Sequence, residues 1–311
     1  MTAGDMDGVV SFLKPPGMSS HDAVAFLRRL MGIRRIGHTG TLDPMAAGVL
    51  PLCVGRATRL AEYLVASRKR YMCEMRLGLT TDTLDVWGTP TARAGASFRE
   101  GLSEGLVADA LRSLEGEREQ KPPMYSAVKL GGKKLYEYAR KGQSVDVPAR
   151  TVYINKITVI GVDIEAASAR FEVECSKGVY IRSICGEAGA LLGCGAVMSG
   201  LVRIASGAFS IEDSFTAEEL EAAFRDGRFA EAALIPLDAA LEGFAAIRLS
   251  AGDGRRFADG VAVRLPGAAG PADGEPRRVY APGKGQRPAF LGVGRLEGGL
   301  LRAEKVFGDK G

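Results

Sequence analysis

Strands that follow one another with no helix between them constrain this chain most. Val152 to Val162 and Ala169 to Cys175 read as two consecutive strands. Other strand patterns are separated by helical ones. Gly8 to Leu13 runs into a Lys14-Pro15-Pro16-Gly17 turn, after which Ser20 can cap a helix holding Val24, Phe26, Leu27 and Leu30. Val49 to Val54 is a short apolar run and Thr58 to Val65 looks helical. Arg70 to Gly78 alternates Tyr71, Cys73, Met75 and Leu77 against Met72, Glu74 and Arg76, a half-buried strand. Thr80 to Gly88 reads as turn, Leu106 to Leu114 as helix, Lys133 to Arg140 as a basic helix and Leu201 to Phe209 as strand. Gly178 precedes a helix holding Tyr180, Arg182, Ile184 and Leu191. This mixed order argues against a purely parallel βαβ design and predicts an α+β fold, with a mixed, largely antiparallel central sheet flanked by helices.

Past an acidic helical region, Pro236 to Phe244 reads as a hinge and the chain changes character. A short helix (Ser250 to Phe257) is followed by short strands near Val261 to Leu265, Arg278 to Tyr280, Ala289 to Gly294 and Leu300 to Val306, interrupted by a Gly/Pro-rich loop from Pro266 to Pro276. We expect a large domain over 1–240 and a small β-barrel-like one over 246–311.

With 311 residues, 46% of them hydrophobic, the chain can bury a substantial core. No apolar run approaches the ~20 residues needed to span a bilayer, and Met1 to Asp7 carries two acids and no basic n-region, so a cytoplasmic protein is expected. Five scattered cysteines without a C-x-x-C pair, and two histidines, His21 and His38, leave no zinc spacing; reduced thiols and no metal are expected. The formal charge of +4 hides a division along the chain. Residues 1–80 carry a net +5, residues 120–160 a net +6 and residues 212–242 a net −7. Solvated helix faces produce such runs, and so does an oriented nucleic-acid surface.

One loop concentrates the chemistry. Gly37-His38-Thr39-Gly40-Thr41-Leu42-Asp43-Pro44 sets a carboxylate among turn-forming residues: the glycines permit backbone angles closed to other residues, and Pro44 pushes Asp43 out of the helical region. An Asp before proline is ordinarily a turn residue. Here it is flanked by Arg28, Arg29, Arg34 and Arg35 upstream and by Arg56, Arg59, Arg68, Lys69 and Arg70 downstream, an array suited to a polyanion.

These residues resemble the TruB family of bacterial tRNA pseudouridine synthases over nearly the whole chain. The resemblance is carried by GHTGTLDP with MAAGVLPLCVGRATRL (37–60), Lys14-Pro15-x-Gly17, Lys69-Arg70-Tyr71 and Thr81-Asp82-Thr83 with Asp85 and Gly88. QKPPMYSAVK (120–129), ARKG (139–142), SKGVYIRS (176–183), and Leu201, Arg203, Gly207 and Phe209 complete it. Met45, Ala47 and Arg56 depart from the family pattern.

The resemblance implies the pseudouridine synthase fold with a small C-terminal PUA domain. It also implies cofactor-free isomerisation of uridine 55 in the tRNA T loop; we expect a monomer without an obligatory protein partner. It implies Asp43 as the catalytic carboxylate, Arg182 as its cation, and Tyr71 stacked on the flipped uracil with its hydroxyl near C5. Leu201 would be an apolar wall, and His38 would fill the place the extruded base leaves. Lys14, Lys69, Arg70, Tyr180 and Lys129 complete the expected substrate contacts, while His21 is read as structural. Asp43 can attack C1′, attack C6 of the base or help remove a ribose proton; these alternatives stay open. The competing readings are a guide-RNA-dependent relative and an RNA-folding chaperone. A sugar glycosidase is disfavoured because no second carboxylate pairs with Asp43.

Overall fold

The computed structural model of the chain describes residues 6–143, 145–265, 274–283 and 287–307. A nine-stranded sheet forms its centre. The strands are β1 (Gly8–Lys14), β2 (Ile36–His38), β3 (Ala47–Val54), β4 (Lys69–Leu77), β7 (Gly116–Gln120), β10 (Arg150–Asp163), β11 (Ser168–Cys175), β12 (Ala196–Ser206) and β13 (Phe209–Ser210), in the order β1-β3-β12-β4-β11-β10-β7, with β2 on β3 and β13 on β12. Two small hairpins lie outside it: β5 (Leu79–Thr81) with β6 (Pro90–Arg93), and β8 (Lys129–Leu130) with β9 (Lys133–Lys134). Every pairing in the main sheet is antiparallel except β12 on β3. That agrees with the mixed, largely antiparallel sheet expected.

The helices are α1 (Ser20–Met31), α2 (Ala61–Val65), α3 (Glu104–Arg112), α4 (Leu135–Ala139), α5 (Ile181–Leu191), α6 (Ala217–Arg225), α7 (Phe229–Ala232) and α8 (Ala251–Ala258). Helix α1 shows why the local sequence folds as it does. Ser19 caps it in a capping box with Asp22, Gly32 ends it in the left-handed conformation, and Ala23, Val24, Leu27 and Met31 line its buried face. The cap is therefore Ser19, one residue before the one expected. Ser20 instead turns inward, donating to Leu42 O at 3.2 Å and accepting from Leu42 N at 2.9 Å.

Strand β3 is buried on both faces: Leu50, Leu52 and Val54 enter the main core, while Val49 and Cys53 join a second cluster with Leu60, Phe209, Leu241, Val293 and Phe307. That second cluster ties the central sheet to a curled five-stranded C-terminal sheet. Its strands are β14 (Ala246–Arg248), β15 (Val263–Arg264), β16 (Pro276–Pro282), β17 (Pro288–Glu297) and β18 (Leu300–Val306), in the order β14-β16-β17-β18-β15. The expected hinge is packed: Ala240 and Leu241 are buried in this cluster because their side chains cover the seam. Arg56, a departure from the family pattern, also bridges the seam, pairing with Asp7 and donating to Phe307 O at 3.0 Å. Residues 266–273 of the expected Gly/Pro-rich loop lie outside the described residues.

Other expectations shift locally. Thr80–Gly88 begins as strand β5 rather than turn, and the basic helix shortens to α4 because Lys133 and Lys134 pair in a hairpin. Among the described residues no helix is long and apolar enough to cross a membrane.

Candidate active site

A cleft of about 530 Å³ opens where the 40–43 loop, β4, the 126–128 segment, the start of α5 and β12 converge. That size suits a nucleotide-sized occupant. Asp43 stands in its wall, held from several sides. Lys14 lies fully buried beneath the loop, its ammonium donating to the carbonyls of Met18 at 2.7 Å, Pro15 at 2.9 Å and Pro44 at 3.1 Å. Arg203, 1% exposed, donates to Val49 O at 2.7 Å and Gly40 O at 3.2 Å. Thr39 N and Oγ1 reach Pro51 O, Ala46 N closes a turn onto Asp43 O, and the Ser20 hydroxyl fixes Leu42. The carboxylate thus has little freedom except toward the cleft, where its side chain is 35% exposed.

Arg182, two residues into α5, faces it with a side chain only 4% exposed. Its Nε lies 2.9 Å from Asp43 Oδ2, although that N–H is not aimed at the oxygen, and Nη2 donates to Oδ1 at 3.3 Å. The same guanidinium donates to Thr83 O at 2.9 Å and Tyr125 O at 2.8 Å and lies 3.8 Å from Asp85. One buried cation therefore joins the carboxylate to two loops distant in sequence.

Tyr71, Leu201, Lys69 and Tyr180 line the same cleft. Burial raises the Tyr71 and Tyr180 phenols above their ordinary range, which keeps both hydroxyls protonated. The remaining expected contacts sit elsewhere. Arg70 is on the opposite face of β4 from Tyr71, paired with Glu172 at 2.7 Å, because strand alternation sends neighbours to opposite sides. Lys14 braces the loop from below, its three donors all engaged. Lys129 is exposed on β8, past the cleft-lining Val128. His38 is half-buried on β2, its Nδ1 accepting from Gly40 N at 3.4 Å, outside the cleft lining, and burial then Arg203 lower its pKa.

Sequence reasoning assigned no role to Arg203, Ser126 or Lys177, all in the lining. Arg203 was legible as a charge among apolar residues on a strand; the Ser126 hydroxyl, buried beside the Tyr180 phenol, had no signal beyond its motif.

The TruB family pseudouridylate synthase N-terminal domain matches residues 28–181, and the tRNA pseudouridylate synthase B C-terminal domain matches residues 182–242. The chain belongs to the TruB family. It is a pseudouridine synthase, an isomerase. Among its TruB relatives, tRNA pseudouridine synthase B of Symbiobacterium thermophilum is 47% identical over 84% of each chain, and that of Bacillus licheniformis 41% identical over 98% of each. Among solved structures, this TruB-family chain superposes on a Cbf5-Nop10-Gar1 complex with a TM-score of 0.75 at 26% identity, covering 99% of this chain and 86% of that one.

The buried lysines give the TruB-family cleft an alkaline limit. Burial pushes Lys14 and Lys69 down to about 8 from an ordinary 10.5, with the Asp43 charge partly opposing the shift at Lys14 and Arg203 adding to it at Lys69. Below that pH both are ammonium groups; above it Lys14 keeps two N–H donors for three carbonyls, and the loop loses a contact. Turnover is expected to fall as pH rises through about 8. Stability moves the other way at first. Between about 8 and 10.5 the unfolded chain holds more protons at these lysines, so their contribution rises with pH. Above about pH 9 the buried thiols of Cys53 and Cys175, pushed up to about 12, offset that gain, and above about 10.5 stability falls. Parallel rate and urea-denaturation series from pH 7 to 9 check the divergence.

Proposed function

We propose that this pseudouridine synthase converts uridine 55 in the T loop of tRNA to pseudouridine, with Asp43 as the reacting carboxylate and the target nucleotide flipped into the cleft. The observation that carries this reading is Asp43 itself: braced by Lys14 and Arg203, paired with a sealed Arg182 and open only toward a nucleotide-sized cavity. During the reaction the C1′–N1 bond breaks, the base turns while bound, C5 joins C1′, the C5 proton leaves and N1 takes one up. Asp43 either attacks C1′ or C6 or helps remove a ribose proton. Tyr71 and Leu201 sandwich the uracil, leaving the Tyr71 hydroxyl for the proton at C5. Tyr180 and Lys69 complete the cleft contacts, and His38 stacks where the base had been.

Residues 1–240 act as the catalytic domain, and 246–311 as a PUA-like RNA-binding domain built on the curled sheet. Basic regions at 28–35 and 129–150 hold the stem by its phosphates, so binding weakens with salt. The enzyme works in the cytoplasm as a monomer without cofactor. Identities of 41–47% to relatives named tRNA pseudouridine synthase B, against 26% to a chain of the Cbf5-Nop10-Gar1 complex, favour this over a guide-RNA-dependent role.

The test is tritium release from a tRNA T stem-loop carrying 5-tritiated uridine, with the purified chain alone. One equivalent released and mapped to the T-loop uridine is expected. Release only in the presence of guide RNA or partner proteins overturns the stand-alone reading, and binding without release leaves the chaperone.

A further inference from the structure

We propose that Gln120 is a positioning residue for the reaction: its carboxamide fixes the backbone of Tyr180, and with it the end of α5 from which Arg182 reaches Asp43. The inference rests on the functional reading above and adds a residue that touches neither substrate nor carboxylate. Gln120 ends β7, where its backbone pairs with Arg150 of β10, and its side chain is buried. Its Oε1 accepts from Tyr180 N at 2.7 Å and its Nε2 donates to Tyr180 O at 3.2 Å. Two bonds to one residue's main chain copy what a neighbouring strand would make, and they fix rotation as well as position.

The place matters because Tyr180 is the N-cap of α5, and it makes no side-chain capping bond. Helices usually gain their first-turn order from such a cap. Here Tyr180 O accepts from Ser183 N at 3.1 Å and Ile184 N at 3.3 Å, so whatever holds Tyr180 holds the first turn. Arg182 lies in that turn. Its guanidinium is locked to Thr83 O, Tyr125 O and Asp43, so a displaced helix end changes the angle at which it meets the carboxylate. Only a group with a donor and an acceptor in one plane makes both bonds; an ionised carboxylate lacks the donor and a thioether offers no donor and only a weak acceptor.

The experiment compares Gln120→Met and Gln120→Glu by single-turnover tritium release and by RNA affinity, alone and with Arg182→Lys. Gln120→Met is expected to slow the chemical step by about 10- to 100-fold with RNA affinity unchanged, the usual cost of loosening a supporting contact. With Arg182→Lys already present, the same change is expected to cost less than about threefold, because the group it positions is gone. Gln120→Glu is expected to recover toward the wild-type rate as pH falls from about 8 to about 5.5, since burial at this position lifts the carboxyl above its ordinary ~4.3 and a protonated acid again offers one donor and one acceptor. A rate for Gln120→Met equal to wild type, a fully additive loss with Arg182→Lys, or a Gln120→Glu ratio that does not move with pH overturns the proposal. If Gln120→Met fails to fold, the pH response of Gln120→Glu decides. An inactive wild type overturns the functional reading and this inference together; an active wild type with an indifferent Gln120→Met overturns the inference alone.

Discussion

Asp43→Asn is expected to abolish tritium release while leaving RNA binding in place. Asparagine keeps the volume and one acceptor oxygen, so the loop held by Lys14, Arg203 and Ser20 retains its shape. What disappears is the charge, and with it any capacity for nucleophilic or basic attack. Loss of a reacting group of this kind costs more than about 10⁴-fold in single-turnover rate. Affinity moves little: removing one negative charge from a basic surface tightens a polyanion if it does anything, and Kd is expected to stay within about threefold, or about 0.7 kcal/mol. Folding stability drops modestly, because Arg182 keeps two carbonyls and Asp85 nearby. The discriminating data are single-turnover rates beside filter-binding affinities of both proteins. A variant within tenfold of the wild-type rate removes Asp43 from the chemistry, and a parallel loss of rate and affinity makes it a binding residue.

The loop's sequence announced its carboxylate, but not everything that holds it. Alternation in β4 was enough to place Tyr71 on the inner face with Cys73 and Met75, and the same alternation applied to Arg70 puts it outside. Arg70 was nevertheless grouped with the substrate contacts, because a run of cations reads as one surface when direction is ignored. Lys14 differs in another way: expected against the substrate, it is a buried ammonium on which three carbonyls converge. Two of those carbonyls, Pro15 and Met18, are local, but the third, Pro44 O, arrives from 30 residues away and has no local signature. The pairing of Arg182 with Asp43 is of this kind too, and it was reachable only through family resemblance. The α+β class and the C-terminal strands were legible because they rest on periodicity, whereas the packed seam at Ala240 and Leu241 is set by partners from Leu60 to Phe307.

Gly48→Ala is expected to damage the fold more than any other single methyl in the signature segment. Gly48 has φ +110°, a backbone conformation that L side chains rarely adopt, and a Cβ there would lie 2.2 Å from Arg203 O and 2.7 Å from Arg203 N. Both are main-chain atoms of the neighbouring strand, with no rotamer to yield. The contact falls in the short parallel register Val202↔Ala47 and Arg203↔Gly48, so relief requires β3 and β12 to separate. Arg203 would carry the displacement to Gly40 O, itself in the cleft wall and three residues from Asp43. A loss of about 4 kcal/mol or more follows from strain and clash acting together, equivalent to a Tm fall of about 6 °C or more, with turnover lost even in the folded fraction. Gly37→Ala supplies the contrast within the same motif. Gly37 lies outside the left-handed region and has open space where a Cβ would go, so the glycine there is not a backbone requirement. Its alanine variant is expected to lose under about 1 kcal/mol and to keep turnover. Thermal melts and tritium release on the two variants test whether the signature's glycines matter through close strand approach or through loop freedom; equal losses at both positions would refute the strand-approach account.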